Sequence, residues 1–247
     1  MSDRPLAMGI AGLGVYLPEG RESAEEVAAR AGLTREEVAG ELGIEAKCLP
    51  AADEQPVGMA VEASRRALAS AGDLDPEEID VVLWTGEEYK DYIAQTASIR
   101  LQEEVGARKA WAFDLVGQGV TTVIGMRVAR ALMASDPEVS TVLLAGGSRN
   151  VDLVDYRNPS TRWMLSTGAS GAAMVLRRGL ERNRVRGLAV VVDEALADDV
   201  YVPGGGTVSP FSVETLGTDA MFFQVQRPEA VSEYVAGTVP QRLVEVV

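Results

Sequence analysis

The chain has 247 residues, 47% of them hydrophobic and 24% charged, enough to bury one large core or two smaller ones. A net charge of −14 repels phosphate backbones and anionic lipids, so neither nucleic acid nor a membrane surface is an expected partner. One cysteine, Cys48, and no histidine exclude an internal disulfide, a cysteine-held zinc ion and any histidine ligand or general base; no metal and no cofactor are expected.

Met8 to Tyr16 reads as a glycine-rich strand closed by the turn Leu17-Pro18-Glu19-Gly20. Gly12 and Gly14 lack the third glycine and the following helix of a dinucleotide fingerprint, so they are read as packing glycines. Ser23-Ala24-Glu25-Glu26 and Thr34-Arg35-Glu36-Glu37 are capping-box patterns, each predicting a helix start. Val57, Ala60, Val61, Ser64, Ala67, Leu68 and Ala71 fall on one face of a helix over 57–70. Asp75-Pro76 begins a short turn, and the apolar run 79–84 predicts a strand buried on both faces. The alternation continues with helices over 94–105 and 120–135 and strands over 110–115 and 141–147, which predicts βαβ units and a mostly parallel sheet. The segments 172–176 and 185–193 read as an antiparallel strand pair. Gly204-Gly205-Gly206-Thr207 reads as a surface loop, lacking the lysine and helix of a phosphate-binding loop. Pro240 to Val247 reads as a helix that stops without a cap, which predicts a truncated domain. No apolar run reaches the roughly 18 residues of a membrane span and the first residues show no cleavage pattern, so cytoplasm is the default location.

The order of these segments resembles the thiolase superfamily, and within it ketoacyl-ACP synthase III. The resemblance is carried by Gly12, Gly14, Tyr16 and Leu17-Pro18 in the opening strand and turn. Further on it rests on Leu42-Gly43-Ile44-Glu45-Ala46-Lys47, with Lys47-Cys48 where the family usually has an arginine pair. It continues in Ala112-Phe113-Asp114-Leu115 with the next helix, in Val142-Leu143-Leu144-Ala145-Gly146-Gly147, and in 168–176, where Thr167 stands near a usual aspartate. It implies an α/β fold, thiolase-like, layered αβαβα with mostly parallel sheets and an incomplete C-terminal half. Residues 1–176 would form the N-terminal half and 177–247 the start of the second. It also implies an acyl-CoA or acyl carrier protein thioester as partner, and a homodimer or a heterodimer with a ketosynthase.

Family members carry their acyl group on a cysteine where a strand turns into a buried helix, because the free amides and dipole of a helix start lower a thiol's pKa. Counting from Phe113-Asp114, that position falls on Gly119, with Gln118 beside it; neither forms a thioester. The resemblance therefore implies no Claisen condensation by this chain, and leaves its being an enzyme undecided. Two alternatives are a non-catalytic subunit resembling chain-length factors, which often carry glutamine near this turn, and a cysteine-independent acyltransferase or decarboxylase. Gln118, Gly119, Arg149 and Arg157 are the candidate substrate-binding residues; ion pairs with Asp152 and Asp155 are the rival reading for the arginines. Cys48 is read as a half-buried filler, 87–92 as a solvated loop, and the arginines at 177, 178, 182, 184 and 186 as an exposed hairpin turn.

Overall fold

The computed structural model describes residues 6–192 and 194–246; the expectations resting on Met1–Pro5, Asp193 and Val247 lie outside the described residues. In chain order the elements are β1 (Met8–Tyr16), β2 (Gly20–Ser23), α1 (Ala24–Ala31), β3 (Ala46–Leu49), α2 (Pro56–Ser70), β4 (Val81–Trp84), α3 (Ala97–Val105) and β5 (Trp111–Asp114). They continue with α4 (Thr121–Ser135), β6 (Thr141–Ser148), β7 (Ser170–Arg178), β8 (Val200–Tyr201), β9 (Gln224–Val225), α5 (Pro228–Glu233) and α6 (Val239–Val246). The chain divides into two units. The first comprises the chain through Pro18, Pro50–Arg149 and Ser170–Val190; the second comprises Glu19–Leu49, Asn150–Ala169 and the chain from Val191.

The first unit is built on a five-stranded sheet of order β1-β7-β6-β4-β5. β4 runs parallel to β5 and β6, while β7 runs antiparallel to β6 and β1, so four strands share one direction. Side chains alternate across the sheet. Val82, Trp84, Leu143, Ala145 and Val175 join the buried faces of α2 and α3 on one side. Val81, Leu83, Val142, Leu144 and Leu176 join Ala129 and Met133 of α4 on the other. Gly12 and Gly14 bring β1 against α2 so closely that a Cβ on them would stand 2.2 Å from the Ala67 carbonyl oxygen and 2.0 Å from that of Ala63. Backbone packing, not a phosphate, is what these glycines serve.

Two expectations need correcting here. α3 starts at Ala97 instead of 94, after Ala94 takes a positive φ of 60°. The strand expected over 185–193 does not form among the described residues. β7 already has β6 on one edge and β1 on the other, so no edge is left for a hairpin partner. The chain instead touches β1 at a single bridge, Gly9 to Arg184.

The second unit is smaller and its core is mixed. α1 begins with the capping box expected at Ser23: its hydroxyl accepts from the Glu26 amide, and Glu26 accepts from the Ser23 amide. Thr34 and Glu37 make the same reciprocal bonds, yet the element that follows is a single π-helical turn, Glu37–Glu41, not an α-helix. β2 and β3, which alternation did not predict, pair antiparallel from Gly20–Leu49 to Ser23–Ala46. Val27, Val38, Ile44, Val154, Met164 and Leu165 form the apolar core.

Against it lies a buried charge cluster. Glu22 and Lys47 are 3% and 6% exposed. Glu22 takes Arg30 Nη1 at 2.6 Å, the Tyr156 hydroxyl, and Lys47 Nζ at 3.5 Å. Lys47 also donates to the Leu165 carbonyl at 2.9 Å. The Arg30 guanidinium sits 3.6 Å above the Tyr156 ring, a cation–π contact. Burial, then the bond to Glu22, pushes the Tyr156 phenol well above its ordinary pKa. Burial pulls Lys47 down, partly offset by Glu22.

Candidate functional site

β5 ends at Asp114, and α4 begins at Thr121 after six intervening residues. Gln118 and Gly119, both candidate residues, form this corner with φ of 32° and 64°. Val120 donates to the Gln118 carbonyl at 2.6 Å, closing a three-residue turn. A positive φ suits glycine, which explains Gly119; Gln118 bears strain at the same turn. Gly119 is exposed, and a Cβ built there meets nothing within 4 Å, whereas one on Gly117 would press on Ile124 at 2.9 Å. The corner therefore has room for a side chain at 119 and none at 117.

α4 is 15 residues long and starts without a side-chain cap. Among the described residues the amides of Gly119, Thr121 and Thr122 have no acceptor. Such a helix start carries the equivalent of about half a positive charge. Beside it, at the carboxyl ends of β4 and β6, is a cavity of about 150 Å³ lined by Thr85, Glu87, Thr122, Ser148, Ser170 and the backbone of Gly86, Gly146 and Gly147. A crevice beyond the carboxyl ends of parallel strands is where open α/β sheets hold ligands.

The segment leading to the corner is anchored by charge that sequence reasoning missed. Asp114 accepts from the Ala97 and Ser98 amides at 3.0 and 2.9 Å, so it caps α3 from a distant strand, and it pairs with Lys90 at 2.5 Å. Burial pushes its carboxyl up, but Lys90 and the Ser98 and Ala97 bonds outweigh this and leave it below its ordinary pKa. Asp91 is buried too, accepting from the Val57 amide at 3.1 Å and from Arg100 at 2.7 Å. Residues 87–92 form the expected loop, with Glu88, Tyr89 and Tyr92 exposed, but it is tethered through Lys90 and Asp91. No local sequence pattern marks these anchors.

The remaining candidates stand elsewhere. Arg149, in the first unit, donates to the Ala51 and Glu54 carbonyls at 3.3 and 3.1 Å. Arg157, in the second unit, is exposed, and its amide donates to Asp155 Oδ1 at 2.9 Å. Cys48 lies inside β3, paired with Arg21, and at no helix start. Of the basic stretch, Arg177 pairs with Glu78 and Arg184 with Glu181, while the Arg178 guanidinium reaches the Val139 carbonyl near the end of α4. Among the described residues no His, Cys, Asp and Glu group is placed to hold a metal, and no helix is long and apolar enough to cross a membrane.

Comparison with known proteins places this corner in context. The family model for 3-oxoacyl-[acyl-carrier-protein (ACP)] synthase III matches residues 113–194, which include it. The chain is 31% identical over 163 residues to beta-ketoacyl-[acyl-carrier-protein] synthase III of Granulibacter bethesdensis, covering 66% of this chain and 50% of that protein. It is 28% identical over 202 residues to the Clostridium perfringens protein of the same description, covering 82% and 60%. The chain thus spans only half to three-fifths of the length of these relatives. Its fold is similar to the crystal structure of 3-oxoacyl-(acyl carrier protein) synthase III from Pseudomonas aeruginosa, with a TM-score of 0.78 at 23% identity, covering 97% of this chain and 71% of that one.

Proposed function

We propose that the chain, which is similar to ketoacyl-ACP synthase III and shares its fold, binds acyl thioesters of fatty acid or polyketide synthesis at the α4 corner without capturing them covalently. One observation carries the reading: the strand-to-helix turn before α4 holds Gly119, exposed and with free space where a side chain would project. The thioester carbonyl would lie over the unpaired amides of the helix start, where a developing negative charge is favoured. With no thiol there, the acyl group has no sulfur to transfer to, and condensation through an acyl-enzyme does not proceed.

The test is gain of function. The Gly119→Cys variant, incubated with a short acyl-CoA, should gain one acyl mass by intact-protein mass spectrometry, while the native chain gains none. A strained φ at a non-glycine residue costs about 1–2 kcal/mol, which the open space around position 119 does not aggravate. An acyl adduct on the native chain, at Cys48 for example, would overturn the reading.

A second observation favours a subunit role. Among the described residues β5 is an edge strand with β4 as its one neighbour, and its half-exposed Trp111 stacks on Phe113 at 5.4 Å. Val116 and Val120 beside it are exposed as well. An open edge flanked by apolar side chains is a template for pairing with another chain. Dimerisation, with a second copy or with a ketosynthase that keeps its cysteine, would cover it. Light scattering on the purified chain should report a dimer, and Trp111→Lys should shift it to monomer.

A further inference from the structure

We infer that the cavity at the carboxyl ends of β4 and β6 is a site for a primary ammonium group, so that the acyl chain favoured at the α4 corner is a short one ending in an amine. This rests on the reading above only for what carries the ammonium to the cavity.

Glu87 is the residue that points to a ligand. It is half-buried and lines the cavity, and its carboxylate makes no hydrogen bond or ion pair with any described residue. Every other buried or half-buried Asp and Glu among the described residues has a partner. Most hold a cation, as Glu22, Asp91, Asp114 and Asp199 do. The rest accept from backbone amides, as Asp80 does from Ser140 and Thr141. A carboxylate drawn partly out of water without compensation is costly, and elsewhere this fold supplies the compensation itself. The segment that carries Glu87 is pinned just beyond it, Lys90 by Asp114 and Asp91 by the Val57 amide and Arg100.

The class of ligand follows from the rest of the wall. Ser148 and Ser170 stand opposite each other on β6 and β7, as do Gly146 and Ala172, and strand alternation puts all four on one face. Thr85 extends that face from β4, its amide donating to the Ala145 carbonyl at 2.8 Å and its methyl turned to Gly125 of α4. The Thr85 and Ser170 hydroxyls make no hydrogen bond with a described residue and are not sealed from solvent. No Lys or Arg lines the cavity, so a carboxylate or phosphate is repelled and a positive group is drawn in. An ammonium has three N–H donors; Glu87 takes one with charge assistance, and the two hydroxyl oxygens are available for the others. The cavity, about 150 Å³, admits a few heavy atoms, and its floor is fixed: a Cβ on Gly146 would stand 2.3 Å from the Gly86 amide nitrogen. A short aminoacyl end fits there and a long methylene chain does not.

Isothermal titration calorimetry on the native chain tests this with three thioesters that differ only at the acyl end: β-alanyl-CoA, butyryl-CoA and 3-hydroxypropionyl-CoA. β-Alanyl-CoA, whose ammonium replaces the terminal methyl of butyryl-CoA, should bind about tenfold more tightly than either of the others. Glu87→Gln, which keeps the shape and deletes the charge, should remove that preference. Equal affinities in the native chain, a preference for the hydroxyl, or a preference that survives Glu87→Gln would overturn the inference. The native comparison decides the matter even if the variant does not fold. A second probe, n-propylammonium chloride against sodium chloride, is followed by amide NMR at constant ionic strength. Saturable shifts at Thr85, Glu87 and Ser170 with propylammonium alone, but no thioester binding, would leave this inference standing and sink the thioester reading. Thioesters bound with equal strength and no shift with propylammonium would do the reverse. Equal shifts with sodium would assign the cavity to an inorganic cation and overturn the inference.

Discussion

The two units bury their interiors by opposite means. In the first, β1 and α2 meet backbone to backbone across Gly12 and Gly14, with alanines and valines filling the seam. In the second, the core beside α1 carries an anion and a cation, Glu22 and Lys47, under a tyrosine and an exposed arginine. A glycine seam loses stability when an atom is added. A buried ion pair loses it when a charge is removed, because the partner then remains desolvated and uncompensated. The difference teaches which substitutions each unit will resist.

The largest effect should come from Glu22→Gln, which preserves shape and deletes the charge. Lys47 would keep the Leu165 carbonyl and the Tyr156 ring but no counter-charge, and removing one partner of a buried pair costs about 3–5 kcal/mol. Denaturant unfolding should show that loss, and the double variant with Lys47→Met should recover most of it. No recovery would mean that Glu22 acts through Tyr156 and Arg30, not through the ion pair.

Next is Gly14→Ala. The new methyl would sit 2.0 Å from the Ala63 carbonyl oxygen and 2.5 Å from the Ala67 amide nitrogen, both backbone atoms that cannot rotate aside. Overpacking of this kind costs about 1–3 kcal/mol, and this site should lie near the upper end. Gly119→Ala, where nothing lies within 4 Å, is the matched control: it bears the φ strain without the clash. Equal losses at the two glycines would break the distinction between packing and conformation.

Asp114→Asn should cost about 2 kcal/mol, because it weakens the bonds to two amides and leaves Lys90 without its carboxylate. The sign of its pH dependence follows from the lowered folded pKa. The stabilisation is fully present above the unfolded value of about 3.9 and is lost as pH falls through the folded one. Acid titration of the native chain should therefore show a steeper stability decline below about pH 4 than the variant does. The same decline in both would assign the acid sensitivity to other carboxylates.

How much of this was legible beforehand depends on the kind of interaction. The helical face from Val57 to Leu68 was readable because burial on one side imposes the period 3.6, and the run 79–84 because a strand buried on both faces is an unbroken apolar stretch. The corner was legible only through resemblance, by counting from Phe113-Asp114; composition alone does not separate Gly119 from other glycines. The anchors around it were not legible. Asp114 meets Lys90 across 24 residues and Glu22 meets Tyr156 across 134, and no local pattern marks such a pairing. The strand expected over 185–193 failed for a topological reason, since its apolar run was real but both edges of β7 were taken.

The smallest effect sharpens the comparison within the second unit itself. Ser23 and Thr34 make the same reciprocal bonds with Glu26 and Glu37, but the first starts an α-helix of eight residues and the second a single five-residue turn. The Ser23 cap supports Val27 and Ala28, which are buried in the apolar core, and the dipole of α1 is complemented by Glu25 and Glu26 in its first turn. Ser23→Ala should cost about 1 kcal/mol, the usual loss for an N-cap. At Thr34 the cap stabilises one turn with little helix behind it, so Thr34→Ala should cost less, about half as much, by the same denaturant measurement. Equal costs would mean that the cap bonds act locally, on the loop, and that the length of helix they precede adds nothing.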